Sequence, residues 1–397
     1  MNSTNPDLSE LLGALTKAVP TLRKNGREAE EQGWIPQENI DILGKAGVYR
    51  AAVPHRYGGL DLSLADTARV LSEVARGCSS TGWVLSAWMF GAWTATLFPD
   101  AAQDEVFAGG EARLSGGFAP TGVAVPTEGG YRLSGSWKFN TGCRGAAWSM
   151  NAAVVQRDEE PVEAGHEEVI LCLVPMDELK IVDDWQVTAA AGTGSDSTVA
   201  QDVFVPTHRT LGFEEALTNT GGGRSHAREN GRYYALAPVT LVESAAACLG
   251  TARGAYELFL ERLPGRGITY TAWVDQTQHP LTQIQVATAQ SKLAAAEALV
   301  ESWQPRLQKW ADAGEQPPVE QRAAVVGECA YAILLAKEAV DTLHSASGGS
   351  VIRKENPFQR FYRDLHGLSL HALLLANTNL ETYGRVLLGL DPGTPFV

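Results

Sequence analysis

The chain has 397 residues, too many for one ordinary hydrophobic core, so two or three domains are expected. Its 32 Lys and Arg stand against 46 Asp and Glu, a formal charge of −14. That balance argues against nucleic acid or an anionic membrane as partner and leaves small anionic ligands open. Five cysteines, odd in number, widely spaced and without a Cys-x-x-Cys, point to reduced thiols in a cytoplasm and away from a structural zinc.

Residues 1–113 read as a helical domain. Met1 to Arg23 lacks a basic stretch followed by an apolar one, so no secretion signal is expected. Leu8, Leu11, Leu12, Leu15, Val19 and Leu22 keep helical spacing, with Pro20 expected to kink or end that helix. Ile40 to Val48 gives a short helix stopped at Gly47, and Pro54 to Gly59 is a turn-rich loop. Gly77 to Pro99 is uncharged over nearly a membrane-spanning length. It is rich in Ser, Thr, Gly and Ala, with Trp83, Trp88 and Trp93 spread through it. A bilayer span would favour Leu, Ile and Val and place Trp at its ends, so a fully buried helix is expected instead.

Residues 114–217 change to short strands and turns. Gly129-Gly130, the alternation Tyr131 to Leu133, Ser134-Gly135 and Trp137 to Phe139, the apolar run Val169 to Val174 and the segment Val199 to Pro206 predict a small β-barrel or sandwich. A Gly-rich linker is expected over 218–231. Residues 232–397 carry long amphipathic runs. One stripe is Val286, Leu293, Ala296, Leu299, Val300 and Trp303; another is Val326, Cys329, Ala330, Ile333, Val340 and Leu343. These predict an antiparallel four-helix bundle. The run Ala323 to Leu343 is apolar on more than one face, which suggests a second subunit as partner.

Several familiar signals are missing. No Gly-x-Gly-x-x-Gly follows a strand, since Gly192-Thr193-Gly194 continues into Ser195, Asp196 and Ser197, and there is no Walker loop. No His, Asp and Glu cluster has metal spacing; His366 and His371 are five apart and do not share a helix face. Two loops of the β region remain. Trp137 to Gly145 places aromatics before Thr141-Gly142 and can lay a ring on a planar ligand while offering backbone N–H groups to its edge; an ordinary hairpin is the alternative. Gly192 to Thr198 is rich in hydroxyls and suits a ribityl chain or substrate; a solvated connection is the alternative.

The segment after Gly348-Gly349 holds Arg353, Arg360 and Arg363, the aromatics Phe358, Phe361 and Tyr362, Asp364 and His366, and leads into an apolar helix carrying His371. That density suits a large, planar, anionic cofactor, with a salt-bridged surface helix as the alternative.

Helices, then a β domain, then a helical bundle is a layout that resembles the acyl-CoA dehydrogenase-like flavoproteins. The matching pieces are Val53-Pro54-x-x-Tyr57-Gly58-Gly59-Leu60, Tyr131 to Phe139, and Gly192-Thr193-Gly194-Ser195 leading to Val203-Phe204-Val205-Pro206. The segment Asn356-Pro357-x-Gln359-Arg360-x-x-Arg363-Asp364-Leu365-His366 resembles one branch especially, the oxygenase components of two-component flavin monooxygenases. The resemblance covers nearly the whole chain. No Tyr-Glu-Gly-Thr segment carries a dehydrogenase carboxylate; Asn377 to Tyr383 reads differently. The Arg-x-x-Phe-Gly element that anchors flavin in dehydrogenases is absent where Trp273 to Pro280 stands. The histidines that many such monooxygenases carry between Thr141 and Ala147 and near Phe90 are absent too.

The resemblance implies a cytoplasmic homotetramer that takes reduced FMN or FAD from a separate reductase. With O2 it would form a C4a-hydroperoxide and hydroxylate a small phenolic or heteroaromatic compound. Oxygenation of nitrogen or sulfur, or an acyl-CoA dehydrogenase with a relocated carboxylate such as Glu243, are the alternatives. Trp83, Trp88, Trp137 and Phe139 are the expected dry walls. Thr141 and Gly142 would meet the flavin edge, with Thr193 and Ser195 nearby. Arg363 would pair with the flavin phosphate or with Asp364. Phe90, Arg144 and His371 are expected around the substrate, and His366 as the base.

Overall fold

The computed structural model describes residues 6–157, 167–226 and 233–397. Helix α1 (Pro6–Gln32) runs through Pro20 instead of ending there. Leu8, Leu11, Leu15, Val19 and Leu22 form one buried stripe, which packs on α3 (Leu64–Gly77). Pro20 and Thr16 lie on the exposed side. The carbonyl that loses its partner to proline is therefore left near water, and packing of the stripe outweighs the missing hydrogen bond. Helix α2 (Gln37–Lys45) is followed by Gly47 at φ 77°, the left-handed conformation glycine adopts without strain.

Helix α3 is capped by Ser63, whose hydroxyl accepts the Asp66 N–H. Cys78 breaks the chain, and α4 (Ser79–Ala95) follows, buried at every position except Ala87 and Phe90. No helix among the described residues is long and apolar enough to cross a membrane. The short α5 (Asp100–Val106) leads to the β region.

Seven strands follow: β1 (Leu114–Thr127), β2 (Gly130–Trp137), β3 (Trp148–Val155), β4 (Val169–Pro175), β5 (Lys180–Val182), β6 (Ser197–Pro206) and β7 (Thr210–Gly212). They form one mixed sheet in the order β5-β6-β2-β1-β3-β4-β7, with β1 and β3 parallel and the other pairs antiparallel. One face encloses the sheet's own core of Ala124, Leu133, Trp137, Ile170, Cys172 and Val205. Leu114, Met150, Ala152 and Leu171 on the other face join the helical core. The β1/β3 register shifts between Gly117 and Gly122.

After α6 (Phe213–Thr218), residues 227–231 of the expected linker lie outside the described residues. Helices α7 (Leu236–Arg262), α8 (Pro280–Ala313) and α9 (Val319–Ala346) pack on one another. Helix α10 (Pro357–Leu368) lies against α7, and α11 (Ala376–Leu387) against α9. The breadth of the apolar surface on Ala323 to Leu343 is thus accounted for within the chain, because α7, α8 and α11 all cover it. His371 is not in a helix. Helix α10 ends at Leu368, where the Ser369 hydroxyl donates to the His366 carbonyl at 2.8 Å. The Leu370, His371 and Leu374 N–H groups then make successive tight turns.

Candidate active site

Where α4, the sheet and α7 meet, they enclose a cavity of about 110 Å³. The α4 wall is Trp83, Ser86, Ala87, Phe90 and Gly91, the i, i+3, i+4, i+7, i+8 spacing of one helix face. The only two α4 residues that are not fully buried belong to this stripe, so the helix is closed everywhere else. Ser115, Gly116 and Phe118 of β1 face it, with Phe90 and Phe118 rings 5.5 Å apart. Helix α7 adds Thr240, Glu243 and Ser244, and the turn after α10 adds His371 and Leu373.

The two β-region loops singled out from the sequence come together at this cavity. Thr141 and Ser195 hydroxyls lie 2.9 Å apart, and those of Ser195 and Thr193 2.8 Å apart. Thr193 donates to the Ala190 carbonyl at 2.8 Å. Its proton is thereby committed, so Ser195 donates to Thr193 and Thr141 donates to Ser195. The relay leaves the Thr141 oxygen, which lines the cavity, as an acceptor. Gly142 N–H reaches the Thr193 carbonyl at 3.3 Å. Gly142 sits at φ 75°, and a Cβ there would lie 2.6 Å from the Trp88 indole nitrogen. Phe139 also lines the cavity, held at φ 59° and 68% exposed, edge to face with Trp185 at 5.7 Å. A bulky residue held in that strained backbone region with so little burial is a feature often found at functional sites.

His371 lines the cavity with its ring edge to face against Trp83, centroids 5.7 Å apart. It is solvent-accessible yet set among apolar groups, and desolvation lowers its pKa. The Leu373 N–H donates to its Nδ1 at 3.3 Å. The neutral ring therefore carries its proton on Nε2 and acts there as a donor.

Five of the expected site residues lie elsewhere. His366 pairs through Nε2 with Asp341 at 2.9 Å and packs on Tyr362, half-buried and away from the cavity. A partly exposed imidazole beside a carboxylate is a satisfied surface group. Arg363 binds the Glu30 carboxylate, the Thr188 carbonyl and Gln359, and does not line the cavity. Asp364 is itself buried, taking the Ala190 N–H at 2.6 Å and the Ser79 hydroxyl, and burial raises its pKa. Arg144 is clamped by Asp196 and Asp183, each at 2.6 Å, and does not reach the cavity. Trp137 fills the sheet core, donating to the Ala152 carbonyl at 2.7 Å; a Cβ on Gly122 would meet its ring at 2.3 Å. Trp88 is buried on the far side of α4 against Trp34 and Tyr49, and its indole donates to the Gly142 carbonyl at 3.1 Å. It supports the loop from behind.

The sequence reading gave Glu243 only the role of a dehydrogenase base. In the fold it lines the cavity, 5% exposed, with Oε2 lacking a hydrogen-bond partner. Burial pushes its acid up to about 8. A lone carboxylate midway along the apolar run Leu236 to Gly250 was the available signal.

Family models agree with this architecture. "Acyl-CoA dehydrogenase, N-terminal domain" matches residues 18–109, and "Acyl-CoA dehydrogenase, C-terminal domain" matches 242–375. The chain is 31% identical over 405 residues to the flavin-dependent monooxygenase, oxygenase subunit HsaA, of Mycobacterium tuberculosis, covering 98% of each. It is 31% identical over 398 residues to the oxygenase component of an FADH2-dependent resorcinol hydroxylase from Rhizobium sp., covering 96% of this chain and 95% of that one. Among solved structures, XiaF from Streptomyces sp. in complex with FADH2 and glycerol superposes with a TM-score of 0.90 at 29% identity, covering 98% and 97%.

Proposed function

Because the chain belongs to the acyl-CoA dehydrogenase-like family, among the flavin-dependent monooxygenase oxygenase subunits, we propose that it is the oxygenase of a two-component system. It takes reduced FMN or FAD from a separate reductase and uses O2 to hydroxylate a small phenolic or heteroaromatic compound. The observation that carries this reading is one small apolar cavity on which a hydroxyl relay, an exposed aromatic and a neutral imidazole converge.

The residues present fit such a flavin. Reduced flavin carries an N–H where oxidised flavin has a bare nitrogen, and Thr141 offers an acceptor with no proton to give. Phe139 would hold the ring with it, while Gly142, Thr193 and Ser195, whose polar groups are taken within the paired loops, hold Thr141 in place. Bound there, the reduced flavin supplies the electrons and the centre at which O2 is activated. The chain's own residues do the rest. Trp83, Phe90, Phe118 and Met150 keep water out of the cavity. His371 donates from Nε2 to the ring hydroxyl oxygen of the substrate and orients the ring. An acyl-CoA dehydrogenase using Glu243 is disfavoured, because an acid at about 8 is protonated at neutral pH and is no resting base.

The assembly is read as a homotetramer working in the cytoplasm. Leu387, Leu388 and Leu390 at the end of α11 are 68%, 78% and 52% exposed, a surface suited to burial between subunits. All five cysteines are free and buried, as a reducing compartment allows.

The test is anaerobic titration with reduced and oxidised flavin, followed by turnover with NADH, a flavin reductase and a panel of phenols. Reduced flavin should bind more tightly and hydroxylated product should form. A protein that retains stoichiometric oxidised flavin and is reduced directly by NADH would overturn the proposal.

A further inference from the structure

We propose that Glu243 is the substrate-selecting group of this cavity: its carboxyl binds a polar ring substituent of an uncharged aromatic and excludes aromatics that carry a carboxylate. The inference rests on reading the cavity as the substrate site.

Glu243 is buried in the α7 wall, and Oε2 has no partner. An unpaired buried polar atom costs about 1–3 kcal/mol, and such an atom in a folded protein calls for an explanation. A ligand's polar group supplies one, because the side chain faces the cavity. Thr240, one turn earlier, does not compete for it: its hydroxyl is returned to the Leu236 carbonyl of its own helix at 2.7 Å.

The chemistry of the remaining wall sets the ligand class. Trp83, Phe90, Phe118 and Met150 make it apolar, and among the described lining residues there is no Lys or Arg. A carboxylate entering the cavity would lose its water and find no countercharge, which is costly in an apolar site. Glu243 is itself neutral near pH 7, since burial raises its acid to about 8. As a carboxylic acid it offers one donor and one acceptor, the complement of a hydroxyl or a ring N–H. The cavity holds about 110 Å³, less than the ~150 Å³ cavity that takes up benzene. It admits one ring at most, with the remainder of the ligand toward the side where Phe139 and His371 are exposed.

The test is calorimetric binding of phenol, benzene, benzoate and benzylamine to the protein held anaerobically with reduced FMN and FAD. Three variants are compared with the wild type: Glu243→Leu, Glu243→Gln and Ala87→Phe. Glu243→Leu replaces a buried acid with an apolar group of similar size and should fold, as thermal unfolding will verify. It should weaken phenol roughly 5- to 100-fold, the range of an unpaired polar group, and leave benzene unchanged. Glu243→Gln keeps a donor and an acceptor and should stay within about threefold of wild type. Benzoate should bind the wild type more weakly than phenol.

Equal effects of Glu243→Leu on phenol and benzene, or no effect on either, overturn the role of Glu243. So does benzoate binding as tightly as phenol, or benzylamine binding more tightly, which would make Glu243 a carboxylate partner for cations. Ala87→Phe fills the cavity and should abolish binding of phenol and benzene alike. If it does not, or if the wild type binds neither, the cavity is not the substrate site and the broader reading fails with it.

Discussion

The imidazole of His371 and the indole of Trp83 meet edge to face with centroids 5.7 Å apart, joining the turn after α10 to the inward stripe of α4. The contact fixes the ring's plane, the Leu373 N–H fixes its tautomer, and desolvation lowers its pKa below the ordinary 6.5. Those three constraints hold a neutral donor, Nε2–H, in the cavity.

His371→Ala should therefore leave reduced-flavin binding largely intact and separate O2 consumption from hydroxylation. Loss of a positioned proton donor or acceptor costs about 10²–10⁴-fold in rate. Product formed per NADH should fall accordingly, and hydrogen peroxide should rise. His366→Ala is the matched control. It removes a half-exposed pair with Asp341, a contact of the kind that contributes about 0–1 kcal/mol, and coupling should stay normal. Measuring product against NADH for both variants decides the assignment; an uncoupled His366→Ala with a coupled His371→Ala would reverse it.

Trp88→Phe tests the support behind the cofactor loop. The indole N–H to the Gly142 carbonyl is buried at 3.1 Å; phenylalanine leaves that carbonyl with the Gly145 N–H alone, also at 3.1 Å, and opens a gap against Trp34 and Tyr49. The lost hydrogen bond corresponds to a destabilisation of about 0.5–1.5 kcal/mol, together with weaker reduced-flavin binding. A variant with lowered thermal stability and unchanged flavin affinity would show that Gly142 keeps its place without the indole.

The layout of helices, sheet and bundle was legible because it rests on periodicity. The 3.6-residue stripe of α1 and the stripes of α8 and α9 are local patterns that burial preserves. The meeting of Thr141 with Ser195 was half legible: each loop announced itself by composition, while their contact depends on how β2 and β6 pair across the sheet. That the cavity is lined by His371 and not by His366 has a geometric reason. A histidine's neighbours in sequence do not say which way a helix faces, and the end of α10 at Leu368 brings His371, still solvent-accessible, to the rim of the cavity beside Trp83 while His366 stays with Asp341. Trp88 and Trp83 differ in the same way. Both are large aromatics on a helix buried almost all round, so no polar face marked which side met the cavity.

Thr141→Val tests the direction of the hydroxyl relay. Valine keeps the shape and removes the acceptor that the relay from Thr141 through Ser195 to Thr193 leaves facing the cavity. Affinity for reduced flavin should fall about 3- to 10-fold, the worth of one hydrogen bond, with little change for oxidised flavin. An equal loss for both oxidation states would mean that Thr141 contributes packing alone.

Glu243 makes a prediction about stability that needs no ligand. Its acid rises from 4.5 in the unfolded chain to about 8 in the fold, with burial as the cause. A raised folded-state value means that the native protein binds the proton more tightly. Below pH 4.5 both states hold the proton and nothing is lost. Between 4.5 and 8 the unfolded chain ionises while the native state does not, so stability declines as pH rises, by on the order of 5 kcal/mol in full. His371 shares the cavity with the opposite trend. Its lowered pKa costs stability only as pH falls below 6.5, and Tyr234, also near Glu243, is raised and does not ionise in this range. Subtracting Glu243→Gln from wild type cancels these shared contributions. The difference in unfolding free energy should therefore shift steadily toward the variant from pH 5 to pH 8 and level off above it. A difference independent of pH over that window would mean that Glu243 is ionised in the fold, with a countercharge close by, and would withdraw its role as a neutral donor as well.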